Sequence, residues 1–99
     1  MFSRIRHLKM ERITEFSKAV GVPVELLLGR NRDARTADAR HLYWKLLRTK
    51  KNLSYAEIGR LNDRTDATVL LGINRINSLI EADDKRACEM WNKVKDIEV

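Results

Sequence analysis

Ninety-nine residues, 43% of them apolar, can build one modest core but not a nucleotide-hydrolysing module together with a binding module. Twenty Lys and Arg against 14 acids give a formal charge of +6, which favours a polyanionic partner, nucleic acid first, and says nothing about fold. One cysteine, Cys88, excludes an internal disulfide, and the sequence holds neither metal-ligand spacing nor an apolar run fit for a membrane span or a secretory leader. The expectation is a cytoplasmic, nucleoid-associated protein without cofactor, metal, membrane partner or small-molecule substrate.

One proline and four glycines suit a helical chain read as a single domain over residues 1–99. Phe2, Ile5 and Leu8 alternate with Arg4, Arg6 and Lys9, so residues 1–10 read as a helical or flexible extension. Ile13, Phe16, Ala19 and Val20 mark a helix that stops at Gly21, and Pro23 to Gly29 reads as a short helix opened by proline and closed by glycine. Gly29-Arg30-Asn31-Arg32-Asp33-Ala34-Arg35 has little apolar content and reads as a basic loop. From Arg30 to Lys51 eight basic residues face only Asp33 and Asp38, a local excess as large as that of the whole chain. Arginines on such a loop can enter a minor groove or pair with phosphates; the plain alternative is a solvated charged loop.

A helix starting near Thr36 carries Ala39, Leu42, Tyr43, Leu46 and Leu47 at helical spacing, with Trp44 beside this stripe as packing. Arg48, Lys50 and Lys51 at its end also complement the helix dipole. Ser54-Tyr55-Ala56-Glu57 is a capping box, and Ile58 and Leu61 give the next helix its inward edge before Asn62-Asp63 turns the chain. Thr65 or Asp66 caps a second helix with Val69, Ile73, Ile76 and Ile80 along one stripe. Its opposite face holds Ala67, Thr68, Leu71, Asn74, Arg75 and Ser78, small and polar enough to enter a major groove. Helix, tight turn and helix are the plan of a helix-turn-helix DNA reader, or of an ordinary helical hairpin with a solvated face. Asp83 and Asp84 open a closing helix with the stripe Ala87, Cys88, Trp91 and Val94, in which Cys88 reads as a buried structural thiol.

From Ile13 to Leu79 this order of parts resembles the C-terminal DNA-binding domain of the bacterial replication initiator DnaA, related in fold to the tryptophan repressor. Ile13-Thr14-Glu15-Phe16 and Val24-Glu25-Leu26-Leu27 look like the family's opening helices, Arg30-Asn31-Arg32 falls in its basic loop, and Arg40-His41-Leu42 matches its Arg-Gln-apolar helix start. Ser54 to Gly59 resembles its Ser-Leu-Pro-Glu-Ile-Gly segment, and Asn62-Asp63-Arg64-Thr65-Asp66-Ala67-Thr68-Val69-Leu70 stands for its signature Gly-Gly-Arg-Asp-His-Thr-Thr-Val-Leu. Of that signature only Arg64, Thr68, Val69 and Leu70 are kept.

Carried over position by position, the resemblance implies that Arg32 enters the minor groove while Arg30, Arg40 and Arg48 hold phosphates, with Arg35 in the same basic segment. The amides of Ser54 and Tyr55 would lie near a phosphate, as helix N-termini favour anions. Arg64, Thr65, Asp66, Ala67 and Thr68 would face the major groove, with Leu71 and Arg75 further along. Thr68 can bond a base edge, Ala67 can touch a thymine methyl, Asp66 can accept from a cytosine amino group, and arginine prefers guanine.

The departures matter too. The turn lacks the glycine pair and is shorter, which leaves an ungapped register, with Asp66 on the family's aspartate, beside the gapped one. In the gapped register Asp66 and Ala67 replace hydrogen-bond donors, Asp38 stands where arginine is common, and Leu71 replaces a polar histidine, so base preference differs from the usual initiator box. No Gly-x-x-x-x-Gly-Lys-Ser/Thr occurs in the sequence, so the initiator's ATPase is absent from it.

The reading is therefore a non-enzymatic, all-α helical bundle with a Trp-repressor-like helix-turn-helix. It binds double-stranded DNA as a stand-alone regulator of replication or transcription. The alternative is an adaptor that contacts the replication initiator or another helical protein through Leu71 and Trp44. An enzyme is disfavoured, because no nucleophile, base or carboxylate pair stands in a working arrangement.

Overall fold

Residues 12–99 are described by a computed structural model, and every regular element among them is a helix. In chain order these are α1 (Ile13–Val20), α2 (Val24–Leu28), α3 (Ala34–Lys50), α4 (Tyr55–Asn62), α5 (Asp66–Glu81) and α6 (Lys85–Val94). This is the expected all-α bundle. The extension read from Phe2, Ile5 and Leu8 lies outside the described residues.

Boundary chemistry explains the breaks. Helix α1 ends because Gly21 takes a left-handed conformation, φ 71°, which returns its N–H to Ser17 O at 2.9 Å. Helix α3 starts two residues before the expected Thr36, because the Asp33 carboxylate accepts from the Thr36 N–H at 3.1 Å and so caps Ala34 as the first helical residue. Arg35 thereby leaves the loop and joins the first turn of α3. Both halves of the capping box form at α4: Ser54 Oγ accepts from the Glu57 N–H and the Glu57 carboxylate accepts from the Ser54 N–H, each at 3.1 Å. Of the two cap candidates for α5 it is Thr65 that serves, its Oγ1 accepting from the Thr68 N–H at 3.2 Å. Asp84 does the same for α6 through the Ala87 N–H at 3.0 Å.

Helix α3 is the axis of the core. Leu42, Tyr43, Trp44, Leu46 and Leu47 are all buried, and α2, α4, α5 and α6 pack around them. Helix α5 crosses α3 at Gly72, where a Cβ atom would stand 2.7 Å from both the Trp44 ring and His41 Cδ2. Only a residue without a side chain lets α5 lie this close. Helix α6 closes the bundle against α1, α5 and α3. Arg86 donates to the buried Asp38 carboxylate at 2.8 Å, which gives Asp38 an inter-helix partner at the position where the resemblance led one to expect arginine. The inward stripe of α6 is Ala87, Met90 and Val94, whereas Cys88 is only half-buried, its Sγ 3.7 Å from Ile80 O. The thiol is thus less enclosed than the sequence suggested, because the helix is rotated to seat Met90. No helix among the described residues is long and apolar enough to cross a membrane, and no group of three or more His, Cys, Asp and Glu residues among them could hold a metal ion.

Candidate nucleic-acid interface

The basic loop and the turn before α5 are stitched together. Arg30 Nη2 donates to Asp63 O at 3.1 Å and to Asp63 Oδ2 at 3.2 Å, while Arg64 Nη2 donates in the other direction to Gly29 O. Asp63 can make this turn because it occupies the left-handed region at φ 56°, a conformation in which aspartate is better tolerated than most side chains. Gly59 is needed for the same closeness, since a Cβ atom there would fall 2.4 Å from the Arg64 carbonyl oxygen. The turn therefore folds back on α4, Arg64 crosses to the loop, and the loop lies along the N-terminal end of α5.

Arginine by arginine, the basic segment divides into free and occupied charges. Arg32 is exposed and has no hydrogen-bond or ion-pair partner among the described residues. Arg30 is exposed but bonded to Asp63. Arg40 corrects the expectation of a phosphate contact: it is buried, with Nε donating to Leu27 O at 2.9 Å, Nη2 to Leu26 O at 2.8 Å and Nη1 to Asn31 O at 2.9 Å. Its guanidinium satisfies the carbonyls left over at the end of α2 and fixes the loop from beneath. Arg35 turns the other way, to Val20 O at the end of α1, at 3.0 Å. Arg48 is half-buried, donating to Leu53 O at 3.2 Å with its guanidinium 4.6 Å from the centre of the Tyr55 ring. The Ser54 amide, expected near a phosphate, is used by the Glu57 carboxylate.

Electrostatics at the seam follow from this crowding. Burial lowers the Arg40 and Arg64 pKa values, and for Arg64 the neighbouring charges of Arg30 and Arg40 push in the same direction. Three guanidiniums share one seam with Asp33 and Asp63 as their nearest compensation. An additional anion would relieve that repulsion.

Helix α5 supplies the other half. Val69, Gly72, Ile73 and Ile76 face the core, while Asp66, Ala67, Thr68, Leu71, Asn74 and Arg75 are exposed on the far side. The Thr65 hydroxyl is engaged with Thr68 Oγ1 at 2.9 Å, and Asp66 Oδ1 accepts from the Ala67 N–H at 2.9 Å, so both serve the helix start as well as the surface. Arg75 is exposed, one helical turn beyond Leu71. Trp44, offered above as one anchor of a protein-binding surface, is only 1% exposed and cannot be one. Its ring lies beneath Gly72, 5.2 Å from the His41 ring and 5.8 Å from the Arg64 guanidinium.

Sequence reasoning missed Asp63 as a surface acid that holds Arg30. The signal was present in its place next to a turn, but read only as a helix breaker. It also missed the bonds by which Arg64 braces the seam, to Gly29 O and, at 2.7 Å, to Asn62 O.

Comparison with known proteins accords with this geometry. The family described as the bacterial DnaA protein helix-turn-helix matches residues 10–76, which takes in α1 to the middle of α5. The chromosomal replication initiator protein DnaA of Mycoplasma genitalium is 31% identical over 71 residues, 72% of this chain and 16% of the relative. DnaA 1 of Chlamydia trachomatis is 32% identical over 77 residues, 78% of this chain and 17% of the relative. The chain thus spans about a sixth of the length of these relatives. No solved structure gives a significant match. By the match over residues 10–76, the chain belongs to the bacterial DnaA helix-turn-helix family.

Proposed function

We propose that this domain binds double-stranded DNA sequence-specifically, with Arg32 in the minor groove and the outer face of α5, from Asp66 to Arg75, in the adjacent major groove. One observation carries the reading: the Arg30–Asp63 and Arg64–Gly29 bonds hold the basic loop beside the start of α5, whose outer face is exposed. Arg30 and Arg75 flank that face as phosphate contacts, and the first turn of α4, through Tyr55, approaches a further phosphate. Membership of the bacterial DnaA helix-turn-helix family, and the likeness to chromosomal replication initiator proteins, support the same reading.

Arg40 and Arg64 act here by shaping the seam, Arg35 and Arg48 by tying α3 to its neighbours. A domain of this kind works by occupying its site, as a regulator of replication or transcription does. The adaptor reading retains Leu71 as its one exposed anchor after the burial of Trp44.

Salt dependence of duplex binding tests the proposal. Log affinity should fall linearly with log salt at about 0.9 per phosphate neutralised, and Arg32→Ala should reduce that slope by about one contact. Binding to an initiator but to no duplex, or duplex binding indifferent to salt and to Arg32→Ala, would overturn it.

A further inference from the structure

We infer that Leu71 is a specificity-determining residue that reads the C5-methyl group of a thymine in the major groove. The inference rests on the DNA-binding reading above and extends it from the groove to the base. Leu71 is 68% exposed, well beyond the other exposed large apolar side chains, Leu28 and Leu70, at 38% each. A lone exposed leucine is common on protein surfaces, so its place is what matters. On α5 it follows Ala67 by four residues and Thr68 by three, and precedes Asn74 by three and Arg75 by four, which puts it at the middle of the outer face.

The surroundings of Leu71 select its partner. A protein-binding anchor needs apolar neighbours to complete a dry patch; on the exposed face around Leu71 stand Thr68, Asn74 and Arg75, with the single methyl of Ala67 as the apolar neighbour. Such a cationic, polar rim suits a phosphate-lined groove. Within a major groove the one apolar feature among the base edges is the thymine methyl. Opposite guanine, adenine or cytosine, an isobutyl group would cover donors or acceptors and return no hydrogen bond, an outcome that disfavours those bases. Ala67, one turn earlier, offers a second methyl-sized contact and lets the helix sit deep. One turn advances about 5.4 Å and one base step about 3.4 Å, so the thymines met by the two residues fall one or two steps apart.

Replacement of thymine by deoxyuridine removes the methyl and keeps the base pairing. The probe is a duplex enriched from a random-sequence library by the native domain, with each thymine changed to deoxyuridine singly. At one position the native domain should lose about fourfold in affinity, the worth of one buried methyl-sized group. Leu71→Ala should bind the thymine and uracil duplexes equally, close to the native affinity for the uracil form, with an unchanged thermal unfolding midpoint. The inference is overturned if the native domain binds the enriched duplex but no single change to uracil weakens it, or if Leu71→Ala retains the full thymine-to-uracil difference at every sensitive position. A domain that enriches no duplex overturns the DNA-binding reading itself, and this inference with it.

Discussion

Helices α3 and α5 are nearly equal in length, 17 and 16 residues, yet α3 buries nine of its residues and α5 only four. Packed on nearly every side, α3 draws even polar groups inward: Asp38 finds Arg86, and Arg40 finds three backbone carbonyls. Held along one stripe, α5 leaves Ala67, Leu71, Asn74 and Arg75 exposed on the opposite side. The contrast separates two uses of charge. Arg35, Arg40 and Arg48 are consumed in holding the fold through backbone carbonyls, whereas Arg32 and Arg75 are exposed without such bonds among the described residues. Net charge alone does not tell the two apart.

Substitutions should divide along the same line. Trp44→Ala empties the space under Gly72 and should cost about 4 kcal/mol in denaturant unfolding, as fully buried aromatic truncations do; a loss below about 1 kcal/mol would mean that α5 is not seated on this ring. Arg40→Met leaves the Leu26, Leu27 and Asn31 carbonyls without their donor and should cost about 2 kcal/mol. In duplex binding it should lower affinity while keeping the salt slope, unlike Arg32→Ala. A slope reduced by one contact would return Arg40 to the phosphate-binding set.

His41 provides a pH-dependent version of the same comparison, because it lies between the two helices at Gly72. Burial lowers its pKa from 6.5 to about 4, outweighing the attraction of Asp38. The unfolded chain therefore binds a proton that the folded chain excludes, so the His41 contribution to stability is full above about pH 6.5 and is lost as pH falls toward 4. The loss is about 2 kcal/mol by pH 4 after allowance for partial solvation of the ring. Comparison of acid unfolding curves with those of His41→Gln isolates it: the variant should lack this slope, and identical curves would count against the burial of the imidazole.

The smallest effect concerns Asp63. Asparagine keeps the left-handed turn and removes the charge beside Arg30, so Asp63→Asn should tighten duplex binding by about two- to fivefold at low salt, the range of an exposed ion pair. The gain should fade at high salt. Weaker binding in the variant would assign the carboxylate a direct role in recognition.

Much of the fold was legible because caps and stripes are local. The reciprocal Ser54–Glu57 box, the glycine stop at Gly21 and the Val69, Ile73, Ile76 stripe depend on residues within two turns of one another. The beginning of α3 was read two residues late because Ala34-Arg35 resembles loop composition, and the Asp33 side chain decided the matter. Arg40 was unreadable for a different reason. Its partners are carbonyls at the end of α2 and in the loop, nine to 14 residues back, and nothing in a run of basic residues shows which one they will claim. Likewise Trp44 beside a leucine stripe does not announce that a glycine on another helix will rest on it. The seam between loop and turn rests on bonds 33 to 35 residues apart in sequence, Arg30 to Asp63 and Arg64 to Gly29, which no local pattern shows.

The most direct test follows backbone amide resonances as an enriched duplex is titrated into the isotope-labelled domain. Shifts concentrated on residues 30–33 and 66–75, with α1 and α6 left in place, are the expected result. Shifts gathered on α6 while the outer face of α5 stays unperturbed would contradict the account.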